Sequence, residues 1–110
     1  QMCVGAERLY VHAGVYDRFV EKVRAKVAAL RQGPPLGAEI VDCGAMTMPH
    51  QLNIVESLVQ DAVDKGARAL VGGQRNTKVG PQFFAPTLLV DVDHRMRITQ
   101  EECFGPVMVV

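Results

Sequence analysis

The sequence predicts an α/β fold in which two helices cover a largely parallel sheet. Three observations lead there. Val15, Phe19, Val23, Val27 and Leu30 recur at spacings of four, four, four and three, the stripe of a helix with one apolar face. Leu52, Val55, Val59 and Ala62 form a second such face. Short β-prone segments flank the two stripes: Arg8–His12, Ala69–Val71, Phe83–Val90 and Val107–Val110. A helix with a single apolar stripe must bury it against another layer, and in this order of segments that layer is a sheet.

Each element has a local reason. Arg8-Leu9-Tyr10-Val11-His12 alternates and is closed by Ala13-Gly14, as a short strand would be. The first helix carries Asp17 in its opening turn and Arg31 at its end, charges that complement the helix dipole, and Gly33-Pro34-Pro35 forbids continuation. Residues 33 to 48 read as a long connection crossing a domain surface. Pro49 suits the first turn of the second helix, which stops at Lys65-Gly66. Gly72 to Pro81 is a polar, Gly-rich loop, Pro86 places the following run at an edge or a break, and Asp91 to Thr99 has room for one helical turn. Gln100 to Pro106 then turns sharply into the apolar run Val107–Val110.

With 48% hydrophobic and 22% charged residues over 110 positions, the chain has the composition of one globular domain. Twelve basic residues balance twelve acidic ones with no stretch of one sign, which argues against nucleic acid or anionic lipid as a partner. No run approaches the ~20 apolar residues of a membrane span, and no leader pattern is present, so a membrane is not indicated. The chain opens on Gln1 and ends within an apolar run, and it reads as an excerpt of a longer protein. Cys3, Cys43 and Cys103 are odd in number and far apart, which points to an intracellular, reducing compartment rather than a disulfide framework. Neither they nor His12, His50 and His94 fall at metal-ligand spacing, and no metal site is expected.

The residues able to carry chemistry lie at the two ends. In Gln1-Met2-Cys3-Val4-Gly5-Ala6-Glu7-Arg8 a thiol is followed by small residues and is sterically open. Were the segment a helical turn, its N–H groups would favour the thiolate, whereas a buried structural cysteine is the plainer reading. In Gln100-Glu101-Glu102-Cys103-Phe104-Gly105-Pro106-Val107, Gly105 permits close backbone approach and Pro106 fixes φ, so that Glu102 and Phe104 are held in place. Cys103 alternates with both and points the other way.

Read together, Gln-x-Cys with small residues and an Arg behind it, and Glu-Glu-x-Phe-Gly-Pro-Val about a hundred residues later, resemble the aldehyde dehydrogenase superfamily. Tyr16-Asp17-Arg18-Phe19-Val20, Lys65-Gly66-Ala67 with Gly72-Gly73, and Phe84-Ala85-Pro86-Thr87-Leu88 resemble further segments of it. The resemblance implies that residues 1–110 are part of a catalytic domain, most of the cofactor-binding and oligomerisation segments lying elsewhere. It implies an oxidoreductase that oxidises an aldehyde to a carboxylic acid with NAD, or NADP, and that works as a homo-oligomer. Cys3 matches the nucleophile, passing through a thiohemiacetal, whose oxyanion its backbone N–H would help to stabilise, to a thioester. Glu102 matches the carboxylate that accepts hydrogen bonds from the nicotinamide ribose, Phe104 the ring beside the nicotinamide, and Gln1 a residue that shapes the loop.

Two positions depart from the family pattern. Gly44-Ala45-Met46-Thr47 stands where a Gly-Pro pair is common, and Cys103 where an aliphatic residue is common. Two other readings stay open: an inactive family member kept as a scaffold or subunit, and a thiol acyl-transfer enzyme that would need Cys3 but neither Glu102 nor Phe104.

Overall fold

The computed structural model describes residues 1–110. After a 3-10 turn at Ala13–Val15 come α1 (Tyr16–Ala28), α2 (Pro49–Asp64), β1 (Arg68–Val71), β2 (Thr87–Val90), a second 3-10 turn at Arg97–Thr99, and β3 (Val107–Val109). The sheet order is β1-β2-β3. Strand β2 runs parallel to β3 and antiparallel to β1, and Arg8 makes a parallel bridge to Val109 on the far side of β3. The expected α/β class holds, with an antiparallel strand on one edge of the sheet.

Burial explains the layering. Leu89, Val107 and Val109 face α2, sharing a core with Leu52, Val55, Leu58, Val59 and Ala62. Leu88 and Val90 face the other way, toward Val20, Val23 and Val27 of α1. Every residue of β2 is buried because helices cover both faces of the sheet, which is why that strand is apolar without alternation.

Helix α2 follows its sequence stripe closely. Leu52, Val55, Val59 and Ala62 are all buried, and Gly66 (φ 110°) ends the helix while Ala67 N–H donates to Ala62 O and Gly66 N–H to Val63 O. This pair of bonds is a Schellman cap, which needs a residue that tolerates positive φ. Helix α1 departs from expectation. Its working face is Val20, Val23 and Val27, whereas Val15 and Leu30 are 51% and 44% exposed. The sheet is only three strands wide and meets the middle of α1, so the ends of the predicted stripe have nothing to cover. Arg8–His12 contributes a single bridge rather than a strand, with Leu9 N–H donating to Val109 O at 2.9 Å.

The connection between the helices is fixed at both ends. Arg31 grips Asp42 through Nε and Nη2, each at 2.9 Å, and Gln82 exchanges two hydrogen bonds with the buried Met46. Gly72 (φ 68°) lets the loop after β1 lie on the strand entering β2, where a Cβ would stand 2.3 Å from Pro86 O. Gly73 N–H donates to Thr87 Oγ1, which in turn donates to Ala85 O. The Gly-Gly and Pro-Thr segments are thus two halves of one contact.

Candidate functional site

The loop leading to β3 is set from both sides. Arg97, in the second 3-10 turn, draws Glu101 back through bonds of 2.7 and 3.0 Å, and its backbone N–H donates to Asp61 on α2. Glu101 is thereby held below the usual carboxylate range, chiefly by the hydrogen bonds from Arg97. Cys103 points inward and is buried. Desolvation pushes its thiol up to about 12, so it stays protonated and unreactive at neutral pH. Gly105 lies against α2, where a Cβ would come within 2.6 Å of Val55 Cγ2. Pro106 O accepts from Thr87 N–H at 2.9 Å, tying the loop to the start of β2.

Alternation does the rest. With Cys103 inside, Glu102 is exposed and Phe104 is half-buried. Glu102 takes part in none of the seven ion pairs of the chain, so its carboxylate is free to accept from an outside donor.

The cysteine segment is built as a tight turn. Gly5 N–H donates to Met2 O at 3.0 Å, which places Cys3 at the second position of the turn with its side chain exposed. The helical turn entertained from sequence does not form, and so no helix terminus aims its N–H groups at the sulfur. Neither is Cys3 the buried structural cysteine of the plainer reading. The segment is anchored beside β3 by the Arg8–Val109 bridge and by Arg8 Nη1 donating to Thr99 O at 2.7 Å.

These anchors bring the two ends of the chain together. Gln1 Nε2 donates to Phe104 O at 3.0 Å, and Gln1 Oε1 accepts from Thr47 N–H at 2.8 Å and from Thr47 Oγ1 at 2.9 Å. Between the segments lies a cleft of about 200 Å³, lined on one side by Gln1, Met2, Gly5, Ala6 and Glu7 and on the other by Cys103, Phe104, Gly105 and Val107. Cys3 and Glu102 stand outside its walls, on the exposed surface. Sequence reasoning named Cys3, Glu102 and Phe104 but missed Thr47 and Arg8 as the groups that hold their segments. The signal for Gln1, its position two residues before the cysteine, was visible; its partners were not.

Fold and site together define a class: an α/β unit whose sheet carries an open cysteine turn beside an acidic and aromatic loop. The sequence profile of the aldehyde dehydrogenase family matches residues 1–110, and the chain belongs to that family. It is 42% identical over 106 residues to the NADP(+) succinate-semialdehyde dehydrogenase of Escherichia coli K12, covering 96% of this chain and 22% of the relative. The crystal structure of lactaldehyde dehydrogenase from Escherichia coli superposes with a TM-score of 0.92 at 39% identity, covering 100% of this chain and 23% of that one. Betaine aldehyde dehydrogenase from Staphylococcus aureus, solved in complex with NAD+, superposes with a TM-score of 0.89 at 33% identity, over 99% of this chain and 22% of that one. The chain therefore spans between a fifth and a quarter of the length of these relatives.

Proposed function

We propose that residues 1–110 are part of the catalytic domain of an NAD(P)-dependent aldehyde dehydrogenase, with Cys3 as nucleophile and with Glu102 and Phe104 holding the nicotinamide end of the cofactor. The observation that carries the reading is the link from Gln1 to Phe104 O, which joins the cysteine turn to the acidic-aromatic loop.

The chain's own groups fit these roles. Cys3 is exposed on a turn of small residues, so a carbonyl carbon can approach its sulfur. Attack by the thiolate forms a C–S bond and moves the carbonyl π pair onto oxygen, where the Cys3 backbone N–H is a suitable donor. A nicotinamide cofactor, when bound, supplies the acceptor for the hydride that leaves this carbon. Cys3 is then an acyl thioester, and water cleaves it to a carboxylic acid and the free thiol. Glu102, exposed and without an ionic partner, suits hydroxyl donors of a ribose, and the half-buried Phe104 ring suits a flat heterocycle. Either nicotinamide dinucleotide agrees with the relatives, one named for NADP(+) and another solved with NAD+. Aldehyde oxidation agrees with all three names, which differ in the aldehyde. Assembly into dimers or tetramers belongs to the same reading.

The test is aldehyde-dependent formation of NADH or NADPH by the full-length protein. Cys3→Ala should abolish it, and a Cys3→Ala protein that keeps the wild-type rate contradicts the assignment. A correctly folded wild-type protein that forms no reduced cofactor with any aldehyde favours the scaffold reading.

A further inference from the structure

The geometry points to Gln1 as a positioning residue for hydride transfer, a carboxamide clamp that fixes the Glu102–Phe104 loop relative to the Cys3 turn. This rests on the reading that the two segments form one aldehyde dehydrogenase site. It assigns the side chain two residues before the nucleophile a task beyond shaping its own loop.

All three polar contacts of the Gln1 side chain reach outside its own segment. Nε2 meets Phe104 O, the carbonyl of the residue after Cys103, while Oε1 takes both donors of Thr47 in the connection before α2. The orientation of the amide is dictated by its partners, since a backbone N–H can only donate and a carbonyl oxygen can only accept. Swapping the two ends would lose the bonds to Phe104 O and Thr47 N–H at once. Phe104 O has little other support: Gln51 Nε2 stands at 3.5 Å, beyond a good hydrogen bond. The next residue, Gly105, lies against Val55 with no room for a side chain. Removing the clamp therefore leaves Phe104 O without a close donor and frees the loop from the cysteine turn.

Thr47 makes the clamp a three-way junction. It ties the turn and the loop to the segment that leads into α2, the helix that gives Leu52, Val55, Leu58, Val59 and Ala62 to the core. A small shift of Phe104 and Glu102 alters the distance over which hydride passes but leaves the thiol as open as before. Misplacement of about 1 Å at a reacting centre costs roughly 100-fold in rate.

The experiment uses the full-length enzyme and the variants Gln1→Met, which keeps the length and loses every hydrogen bond, and Gln1→Glu, which keeps the acceptor for Thr47 and loses the donor to Phe104 O. Three quantities are read: melting temperature, the rate of Cys3 alkylation by iodoacetamide without cofactor, and single-turnover reduction of NAD(P)+ with an aldehyde and its 1-deuterio form. The expected result is near-wild-type melting and alkylation, with hydride transfer slowed roughly 10- to 100-fold and a deuterium isotope effect that becomes fully expressed. Wild-type hydride transfer in either folded variant overturns the clamp. Loss of folding in both variants, or an equal fall in alkylation and hydride transfer, makes the role structural and also overturns it. An inactive wild-type enzyme overturns the underlying site; an active wild type with unaffected variants overturns the clamp alone.

Discussion

Three cysteines in one chain differ by what surrounds each sulfur. Cys3 is exposed on a tight turn, Cys43 is half-buried with desolvation raising its thiol above the ordinary range, and Cys103 is buried and raised to about 12. Only a thiolate attacks an alkylating agent, so brief treatment with iodoacetamide at neutral pH should modify Cys3 first and leave Cys103 untouched, as read by peptide mass. Modification of Cys103 before Cys3 would contradict the burial that separates them. Glycine positions give a second residue-scale expectation. Gly72→Ala forces a side chain into positive φ and onto Pro86 O, and should destabilise by more than the ~1–2 kcal/mol of the backbone conformation alone, measured by denaturant unfolding. Gly105→Ala should cost about 1–3 kcal/mol through overpacking on Val55 and should also shift Phe104.

At the scale of elements, the 33–48 connection is held by charge as well as by backbone bonds. Asp42 is held far below the usual carboxylate range, first by the hydrogen bond from the Arg31 side chain and then by the Arg31 backbone N–H. A carboxylate lowered in the folded state stabilises it above the unfolded value, and that contribution fades as pH falls through the folded one. Asp93, lowered to about 2 by hydrogen bonds from Arg95, behaves in the same sense. Amide protection of residues 31–43, relative to the intrinsic exchange rate at each pH, should accordingly fall in Asp42→Asn at neutral pH and fall to that level in the wild type only in strong acid. Equal exchange in the two proteins at neutral pH would mean that the ion pair does not hold the connection.

The elements also differ in how legible they were. The α2 stripe was read correctly because one helix face meets one continuous core, and its Gly66 cap is a local signal. The α1 stripe was read too long, since sequence gives the period of a helix but not the width of the sheet beneath it. The run Phe83–Val90 shortened to Thr87–Val90 because Pro86 has no N–H for a ladder, while Phe84 pairs separately with Arg75.

For the molecule as a whole, the site depends on contacts that no local pattern encodes. The bond from Gln1 to Phe104 O spans 103 positions and the bond from Thr47 to Gln1 spans 46. The motifs single out the residues, while the sheet, through Arg8 on Val109, decides that their segments meet. No helix of the structure is long and apolar enough to cross a membrane. Met2, Val4, Tyr10, Leu36 and Ile40 are all at least 69% exposed, so the surface of this unit carries large apolar side chains close to the cysteine turn and on the connection. Together with its share of the relatives' length, this leads to the expectation that the isolated 110-residue chain forms no reduced nicotinamide with aldehydes. Activity in the isolated chain would show that the groups named here suffice.

Cys3 and the Glu102–Phe104 loop are proposed as two sides of one hydride-transfer site. Glu102→Gln in the full-length protein probes the cofactor side of that site alone, because the carboxylate is exposed, has no ionic partner within the chain, and its loss should disturb little else. Pre-steady-state measurement should show hydride transfer slowed at least about tenfold, the scale expected when a positioning contact is lost, while acylation of the Cys3 thiol by an activated ester proceeds as in the wild type. Equal loss in both reactions, or no loss in either, would contradict the claim.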